Sequence, residues 1–141
     1  MTRKVPRQRP VGPPSRWVDR DGPVHYVDYG GSAEGPLMVC VHGLGGSLVN
    51  CAAIAPTLSK TCRVLALDLA GFGRTRSHGR SPTVHANRLL LHRFLTEVGG
   101  YLVILVGNSM GGLISVMQNA ARPETVDGIV LMDPALAVAR A

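Results

Sequence analysis

Apolar residues occur in short continuous runs that are separated by glycine-rich turns. The runs cover residues 37–41, 63–67, 102–106 and 126–132, and Val, Leu, Ile and Ala supply most of them. Runs of this length are too short for helices and are typical of strands buried on both faces of a parallel sheet. The pattern therefore predicts four core strands.

Two further strands are predicted near the start of the chain. Residues 17–19 and 24–27 flank Arg20-Asp21-Gly22-Pro23, a sequence that favours a tight turn. This arrangement predicts an antiparallel β-hairpin.

The segments between the core runs predict helices. Residues 81–98 carry apolar side chains at helical spacing, with Ser81 as the expected cap and Pro82 at the first helical position. A short helix is expected over 50–58, and another over 110–121, which Pro123 ends. Strands that alternate with helices predict an α/β fold, a mostly parallel sheet with helices on both faces.

The positive charge lies mainly at the start of the chain. The net charge is +6, and residues 1–20 contribute six basic groups and one acid. We expect a basic, proline-rich, disordered tail over 1–15 and one domain over 16–141. Weak contact of the tail with anionic partners or membranes is the alternative. Because the body is nearly neutral, we expect no nucleic-acid partner.

The lengths of the apolar runs and the spacing of the cysteines predict where the protein is located. No run approaches the roughly 18 residues of a membrane span, and the tail has no apolar signal region. Cys40, Cys51 and Cys62 are odd in number and have no metal-ligand spacing, so we expect thiols in a reducing compartment. The predictions are a cytoplasmic location, no membrane span, no metal and no cofactor.

The run over 102–106 leads into Gly107-Asn108-Ser109-Met110-Gly111-Gly112, here called the serine turn (residues 107–112). Glycines on both sides of a serine, between a strand and a helix, are typical of a nucleophile elbow. Gly107 and Gly111 would let the strand and the helix approach closely. A serine that merely caps the helix is the alternative, but capping does not need these glycines.

His42-Gly43-Leu44-Gly45-Gly46-Ser47 follows the first core run, and we call it the glycine-rich loop (residues 42–47). Acyl transfer needs hydrogen-bond donors for the developing oxyanion. Together with the serine turn, this loop predicts an oxyanion hole formed by the backbone N–H groups of Leu44 and Met110, with His42 as a support. A tight strand-to-helix connection is the alternative. A phosphate-binding loop fits poorly, because both the Gly-Lys-Ser/Thr ending and the Gly-x-Gly-x-x-Gly pattern are missing.

Two aspartates and the five histidines are further candidate catalytic residues. Asp68 is expected to bond backbone N–H groups or Arg74 and so to fix the aspartate loop (residues 68–75). Asp133 could orient a histidine, although a turn residue is the simpler interpretation. None of the histidines is an obvious general base, which a serine nucleophile requires.

The chain resembles the α/β-hydrolase superfamily. The resemblance covers residues 16–135 and is carried by the glycine-rich loop, the aspartate loop and the serine turn, in that order. It implies that Ser109 is the nucleophile, that Leu44 and Met110 are the oxyanion donors, and that nearby residues support them, namely His42, Gly43, Gly107, Asn108 and Gly111. An asparagine before the serine, as at Asn108, resembles the subset of the family that includes carbon–carbon bond hydrolases. Simple esterases also tolerate asparagine at this position.

The resemblance also implies an incomplete machinery. The family takes its acid and its histidine from later strands, beyond a lid. We therefore expect a truncated α/β-hydrolase fold that lacks the last strands and the lid. The predicted function is a serine hydrolase for an ester, amide or related small-molecule carbonyl substrate, in which the catalytic histidine is absent. The alternative is an inert fragment or interaction module, and a nucleotide-binding Rossmann domain is disfavoured because its glycine fingerprint is missing.

The last apolar run, over 126–132, would form a bare edge of the sheet. Natural proteins usually cover or charge such edges. We expect marginal stability and self-association through this strand.

Overall fold

The computed structural model describes residues 13–136, which form a six-stranded sheet with helices on both faces. The strands are β1 (Ser15–Asp19), β2 (Pro23–Asp28), β3 (Leu37–Val41), β4 (Arg63–Leu67), β5 (Val103–Asn108) and β6 (Gly128–Met132). The helices are α1 (Ala55–Leu58), α2 (Val84–Val98) and α3 (Met110–Ala121), with short 3₁₀ turns at Leu48–Cys51 and Pro123–Thr125.

The sheet is mixed, with the order β1-β2-β4-β3-β5-β6. Strands β1 and β2 pair antiparallel, as do β2 and β4, whereas the pairs β3–β4, β3–β5 and β5–β6 are parallel. The predicted fold class, a mostly parallel sheet with an N-terminal antiparallel hairpin, is confirmed.

The core has one layer on each face of the sheet, because successive side chains of a strand point to opposite faces. On one face, Leu91 and Phe94 of α2 and Ile114 of α3 are fully buried against the sheet. On the other face, Cys40 of β3 belongs to a smaller cluster that also contains Ala55 of α1. The two layers bury both faces of β3, as its continuous apolar sequence predicts.

Several predicted boundaries differ from the structure. Strand β1 begins at Ser15, two residues before the predicted strand over 17–19, and residues 1–12 of the predicted tail lie outside the described part of the chain. The single helix over 50–58 is wrong, because a 3₁₀ turn ends at Cys51 and α1 starts afresh with Pro56 in its first turn. Proline lacks the N–H that a continuous helix would need at this position.

The cap of α2 is also displaced. Thr83, and not Ser81, caps the helix, since its hydroxyl accepts a hydrogen bond from the Ala86 N–H at 3.2 Å. Strand β6 starts two residues later than expected, at Gly128, because the 3₁₀ turn at Pro123–Thr125 precedes it.

The cysteines do not all remain thiols. Cys40 and Cys51 form a disulfide with Cα atoms 6.3 Å apart, because β3 and the 3₁₀ turn bring the two side chains to the same face of the sheet. Cys62 is a buried free cysteine. The expectation of three thiols is therefore wrong for two of them, and the predicted cytoplasmic location loses that support. Within residues 13–136, no helix is long and apolar enough to cross a membrane.

Candidate functional site

The loops with candidate chemistry follow the carboxyl ends of neighbouring parallel strands. The glycine-rich loop follows β3, the aspartate loop follows β4, and Ser109 follows β5. In open α/β sheets this edge is where ligands bind. The topology thus gathers the predicted residues at one end of the sheet.

The serine turn has a strained backbone. Ser109 has φ 51° and ψ −116°, a conformation that residues other than glycine rarely adopt. A Cβ at Gly107 would lie 2.6 Å from the Gly111 carbonyl oxygen, and a Cβ at Gly111 would lie 2.0 Å from that of Val41. Only glycine fits at these two positions, so the helix can pack directly on the strands.

The backbone of Ser109 is bonded on both sides. Its N–H donates to the Met132 carbonyl oxygen at 3.0 Å, and its own carbonyl accepts from the Ala135 N–H at 3.0 Å. Ser109 occupies the N-cap position of α3, yet its side chain makes no capping hydrogen bond. The hydroxyl is therefore not engaged in the capping role that was the alternative interpretation.

The glycine-rich loop approaches the serine closely at Gly43. A Cβ added there would lie 3.1 Å from the Ser109 Cβ and 3.7 Å from its Oγ. A larger side chain at position 43 would therefore crowd the hydroxyl. Gly43 also accepts a hydrogen bond from the Gly46 N–H at 3.1 Å, which closes the loop on itself.

His42 is buried, and both of its ring nitrogens have partners. Nε2 lies 3.0 Å from the Leu69 N–H, and Nδ1 lies 2.8 Å from the Gly43 carbonyl oxygen. Since Nε2 must accept, Nδ1 carries the proton and donates, which assigns the neutral tautomer. Burial lowers the pKa of His42, and this outweighs the opposing effects of the Gly43 hydrogen bond and the Asp68 charge.

The hydrogen bond between His42 Nδ1 and the Gly43 carbonyl also orients the N–H group of Leu44. The Gly43 carbonyl and the Leu44 N–H belong to one trans peptide, in which they point in opposite directions. Because His42 draws the carbonyl toward itself, the Leu44 N–H points away from the imidazole. His42 therefore contacts the peptide group to which the Leu44 N–H belongs.

The second predicted donor, Met110, begins α3 directly after Ser109. The first N–H groups of a helix have no acceptor within it and carry partial positive charge. The Met110 side chain is buried, whereas that of Leu44 is 76% exposed.

Beneath the glycine-rich loop lies a cavity of about 20 Å³, whose lining includes His42, Asn108, Met132 and the Cys40–Cys51 pair. A cavity of this size holds about one water molecule. Asn108 therefore lines a small cavity that is partly open to solvent.

Asp68 forms the predicted tie with the backbone and one further contact. Its carboxylate accepts hydrogen bonds from the Leu48 N–H at 2.8 Å and the Arg74 N–H at 3.0 Å. It also lies 2.8 Å from Nδ1 of His25, a buried histidine to which the sequence pattern assigns no role. No sequence signal joins these two residues, which are 43 positions apart.

Within residues 13–136, the remaining candidates make no hydrogen bond to the serine hydroxyl. Asp133 follows β6, exposed and with φ 46°, as a turn residue would be. His85 is exposed on α2, and Nδ1 of His92 bonds Gln118 at 3.0 Å. Across residues 13–136, no imidazole is hydrogen-bonded to Ser109, and no metal-binding group of His, Cys, Asp or Glu is found.

The comparisons with known proteins agree with this fold. The dihydrolipoyllysine-residue acetyltransferase component of the acetoin cleaving system of Cupriavidus necator is 32% identical over 84% of this chain. The sn-1-specific diacylglycerol lipase ABHD11 of Mus musculus is 32% identical over 79%. A solved structure described as a membrane phospholipase A, a bacterial virulence factor, superimposes with a TM-score of 0.83, at 32% identity over 92% of the chain.

The chain spans only part of these relatives, namely 32% and 36% of the two curated proteins and 43% of the solved one. A family model described as the alpha/beta hydrolase fold matches residues 36–140, most of the chain. The chain belongs to the alpha/beta hydrolase fold family.

Proposed function

We propose that this chain carries the nucleophile and the oxyanion hole of a serine hydrolase. The observation that supports this most strongly is the strained backbone of Ser109, held beside Gly43 with a side chain that makes no capping hydrogen bond. Strained residues cluster at active sites, where neighbouring contacts maintain them.

In the proposed chemistry, Ser109 Oγ attacks a substrate carbonyl carbon and forms a tetrahedral intermediate. The N–H groups of Leu44 and Met110 donate to its oxyanion, and His42 fixes the direction of the Leu44 N–H through Gly43. A general base must take the serine proton, and none is assigned within residues 13–136. His42 is unsuited to that role because both of its nitrogens are engaged.

The proposed substrate is an ester, amide or related carbonyl compound of small size. Two relatives carry lipase or phospholipase names, and a third is an acetyltransferase component, so all three names imply an acyl group. Acyl transfer to water and to another acceptor share the same first step, attack on the carbonyl. The proposed common element is therefore acyl transfer through Ser109.

A fluorophosphonate probe tests the nucleophile, because it phosphonylates a serine hydroxyl that is held in position for attack, and the strained turn supplies that geometry even without an assigned base. We expect the wild-type chain and the exposed-loop control Ser77→Ala to be labelled, and Ser109→Ala to remain unlabelled. Intact-mass analysis identifies the adduct. Equal labelling of Ser109→Ala and the wild type would overturn the assignment.

The alternative is an inert fragment or interaction module, and the edge strand β6 favours it. Val130, Leu131 and Met132 are each at least 36% exposed, and within residues 13–136 their strand pairs on its β5 side alone. Such an edge promotes strand-to-strand association. A well-folded wild-type chain that resists the fluorophosphonate would support this alternative.

Self-association through β6 is tested by sedimentation. We expect concentration-dependent oligomers that Val130→Lys weakens, because a charge on an edge strand opposes pairing. Trp17→Lys on the opposite edge strand, β1, is the control and should leave the oligomers intact. A monomeric wild-type chain at all concentrations would contradict self-association.

A further inference from the structure

We propose that Asp68 and His25 form a positioning pair that holds the glycine-rich loop beside Ser109. The proposal rests on the proposed function, since it concerns the loop that carries the Leu44 N–H. It extends the site to the N-terminal hairpin, which contributes no residue to the predicted chemistry.

Asp68 is the centre of this arrangement. It is 1% exposed, and its Oδ1 accepts from the Leu48 N–H at 2.8 Å. Its Oδ2 accepts from the Arg74 N–H and faces Nδ1 of His25. A buried carboxylate is tolerated only when such donors compensate for its lost hydration.

His25 links the carboxylate to the hairpin. Its Nδ1 lies 2.8 Å from Asp68 Oδ2, so Nδ1 donates, and its Nε2 lies 2.9 Å from the Ser15 hydroxyl. The backbone N–H of His25 donates to the Thr75 hydroxyl at 2.9 Å. The ring is therefore held at two points, by Ser15 of β1 and by Asp68, and the backbone N–H gives a further bond to Thr75 of the aspartate loop.

Two successive residues of the aspartate loop hold both ends of the glycine-rich loop. At its start, the Leu69 N–H donates to His42 Nε2 at 3.0 Å. At its end, Asp68 accepts from the N–H of Leu48, the residue directly after Ser47. A shift of residues 68 and 69 would therefore displace both anchors of the segment that carries Leu44.

The pair acts on the chemistry only through position. Neither His25 nor Asp68 bonds Ser109, and His25 lies on β2, three strands from β5 in the sheet order. Loss of the His25 donor would leave Asp68 Oδ2 with the Arg74 N–H as its remaining partner. The carboxylate would then turn toward water, and Leu48 would lose its acceptor.

The test compares His25→Phe, which keeps a ring without nitrogen, with His25→Asn, whose side-chain N–H can replace Nδ1. Gln118→Leu is the matched control, because Gln118 is equally buried and hydrogen-bonded but lies between α2 and α3. Amide hydrogen exchange of residues 43–48 measures the loop directly. The rate of fluorophosphonate labelling measures its effect on Ser109.

In His25→Phe we expect exchange of the Leu48 amide to accelerate at least tenfold, and labelling to slow by about tenfold, a loss smaller than removal of an oxyanion donor. His25→Asn should restore part of both values. Gln118→Leu should lower the unfolding midpoint without changing either value.

Loop exchange at the wild-type rate in folded His25→Phe would overturn the proposal. If His25→Phe does not fold, Asp68→Asn and His25→Asn provide the same comparison, and unchanged Leu48 exchange in Asp68→Asn would overturn it as well. Absence of labelling in the wild type would reject the proposed function instead, because the exchange measurements do not depend on reactivity.

Discussion

The serine turn and the aspartate loop lie on either side of β3 and are stabilised in different ways. The serine turn depends on contacts between backbone atoms, which leave no space for a Cβ at Gly107 or Gly111. The aspartate loop depends on hydrogen bonds that the buried side chains of Asp68 and Asn87 accept from backbone N–H groups. The first region should therefore be sensitive to added volume and the second to lost polarity.

The largest effect is expected from added volume in the serine turn. In Gly111→Ala the new methyl group would lie 2.0 Å from the Val41 carbonyl oxygen, so α3 must move away from β3. We expect a loss of more than about 4 kcal/mol in the free energy of unfolding, measured by urea titration.

Gly128→Ala is the matched control for this substitution. Its Cβ would have Ile104 at 3.6 Å as the nearest neighbour, which is ordinary contact. Near-equal losses in the two variants would contradict the steric account of the serine turn.

The next effect concerns residues 42–51, the glycine-rich loop and the 3₁₀ turn that follow β3. The Cys40–Cys51 disulfide joins β3 to the end of this segment, at a sequence separation of 11 residues. Reduction by dithiothreitol should lower the free energy of unfolding by about 3 kcal/mol, because the unfolded chain regains the freedom of that loop. The double variant Cys40→Ala, Cys51→Ala should not respond to dithiothreitol, and a wild type that does not respond would refute the disulfide.

A smaller effect is expected from lost polarity in the aspartate loop. The Asn87 side chain accepts from the Ala70 N–H at 2.8 Å and donates to the Ala70 carbonyl. In Asn87→Ala these buried groups lose their partner, at a cost of about 2 kcal/mol in unfolding free energy. Asn119→Ala, on the exposed end of α3, should cost far less, and thermal melts of the two variants provide the comparison.

The smallest effect is a pH dependence of stability that His42 causes. Its ring contacts the Gly43 carbonyl beside Ser109 and the Leu69 N–H in the aspartate loop. Burial lowers the pKa of His42 in the folded chain below its ordinary value of 6.5. Between these two pKa values the unfolded chain binds the proton and the folded chain does not. The contribution of His42 to stability should therefore be complete above about pH 6.5 and decline as the pH falls through the folded-state pKa.

Urea unfolding of the wild type and of His42→Asn at several pH values measures this contribution. The difference in stability between them should shrink toward acid pH. A difference that grows toward acid pH would contradict a neutral, buried imidazole.

The sequence predicts best what local pattern determines. The apolar runs predict the bounds of β3 and β4 to the residue, because strands that are buried on both faces consist mainly of apolar residues. Glycines around Ser109 predict the serine turn, because close backbone approach requires them.

What the sequence does not predict depends on distant pairing. His25 and Asp68 meet only because β2 pairs with β4, and the hairpin could equally have joined another strand. The disulfide depends on the same kind of information, since the position of the 3₁₀ turn over β3 is not encoded in cysteine spacing. The cap of α2 is ambiguous for another reason, because both Ser81 and Thr83 are good caps.

Two backbone hydrogen bonds, from the Ser109 N–H to the Met132 carbonyl and from the Ala135 N–H to the Ser109 carbonyl, have a consequence for protein engineering. Any tag, linker or split site introduced between β6 and Leu136 would disturb the bonds that maintain the strained serine. A design that divides or fuses this chain should therefore keep the segment up to Ala135 intact with α3. The reactive geometry is a property of two chain segments, and transplanting the serine turn alone would not carry it.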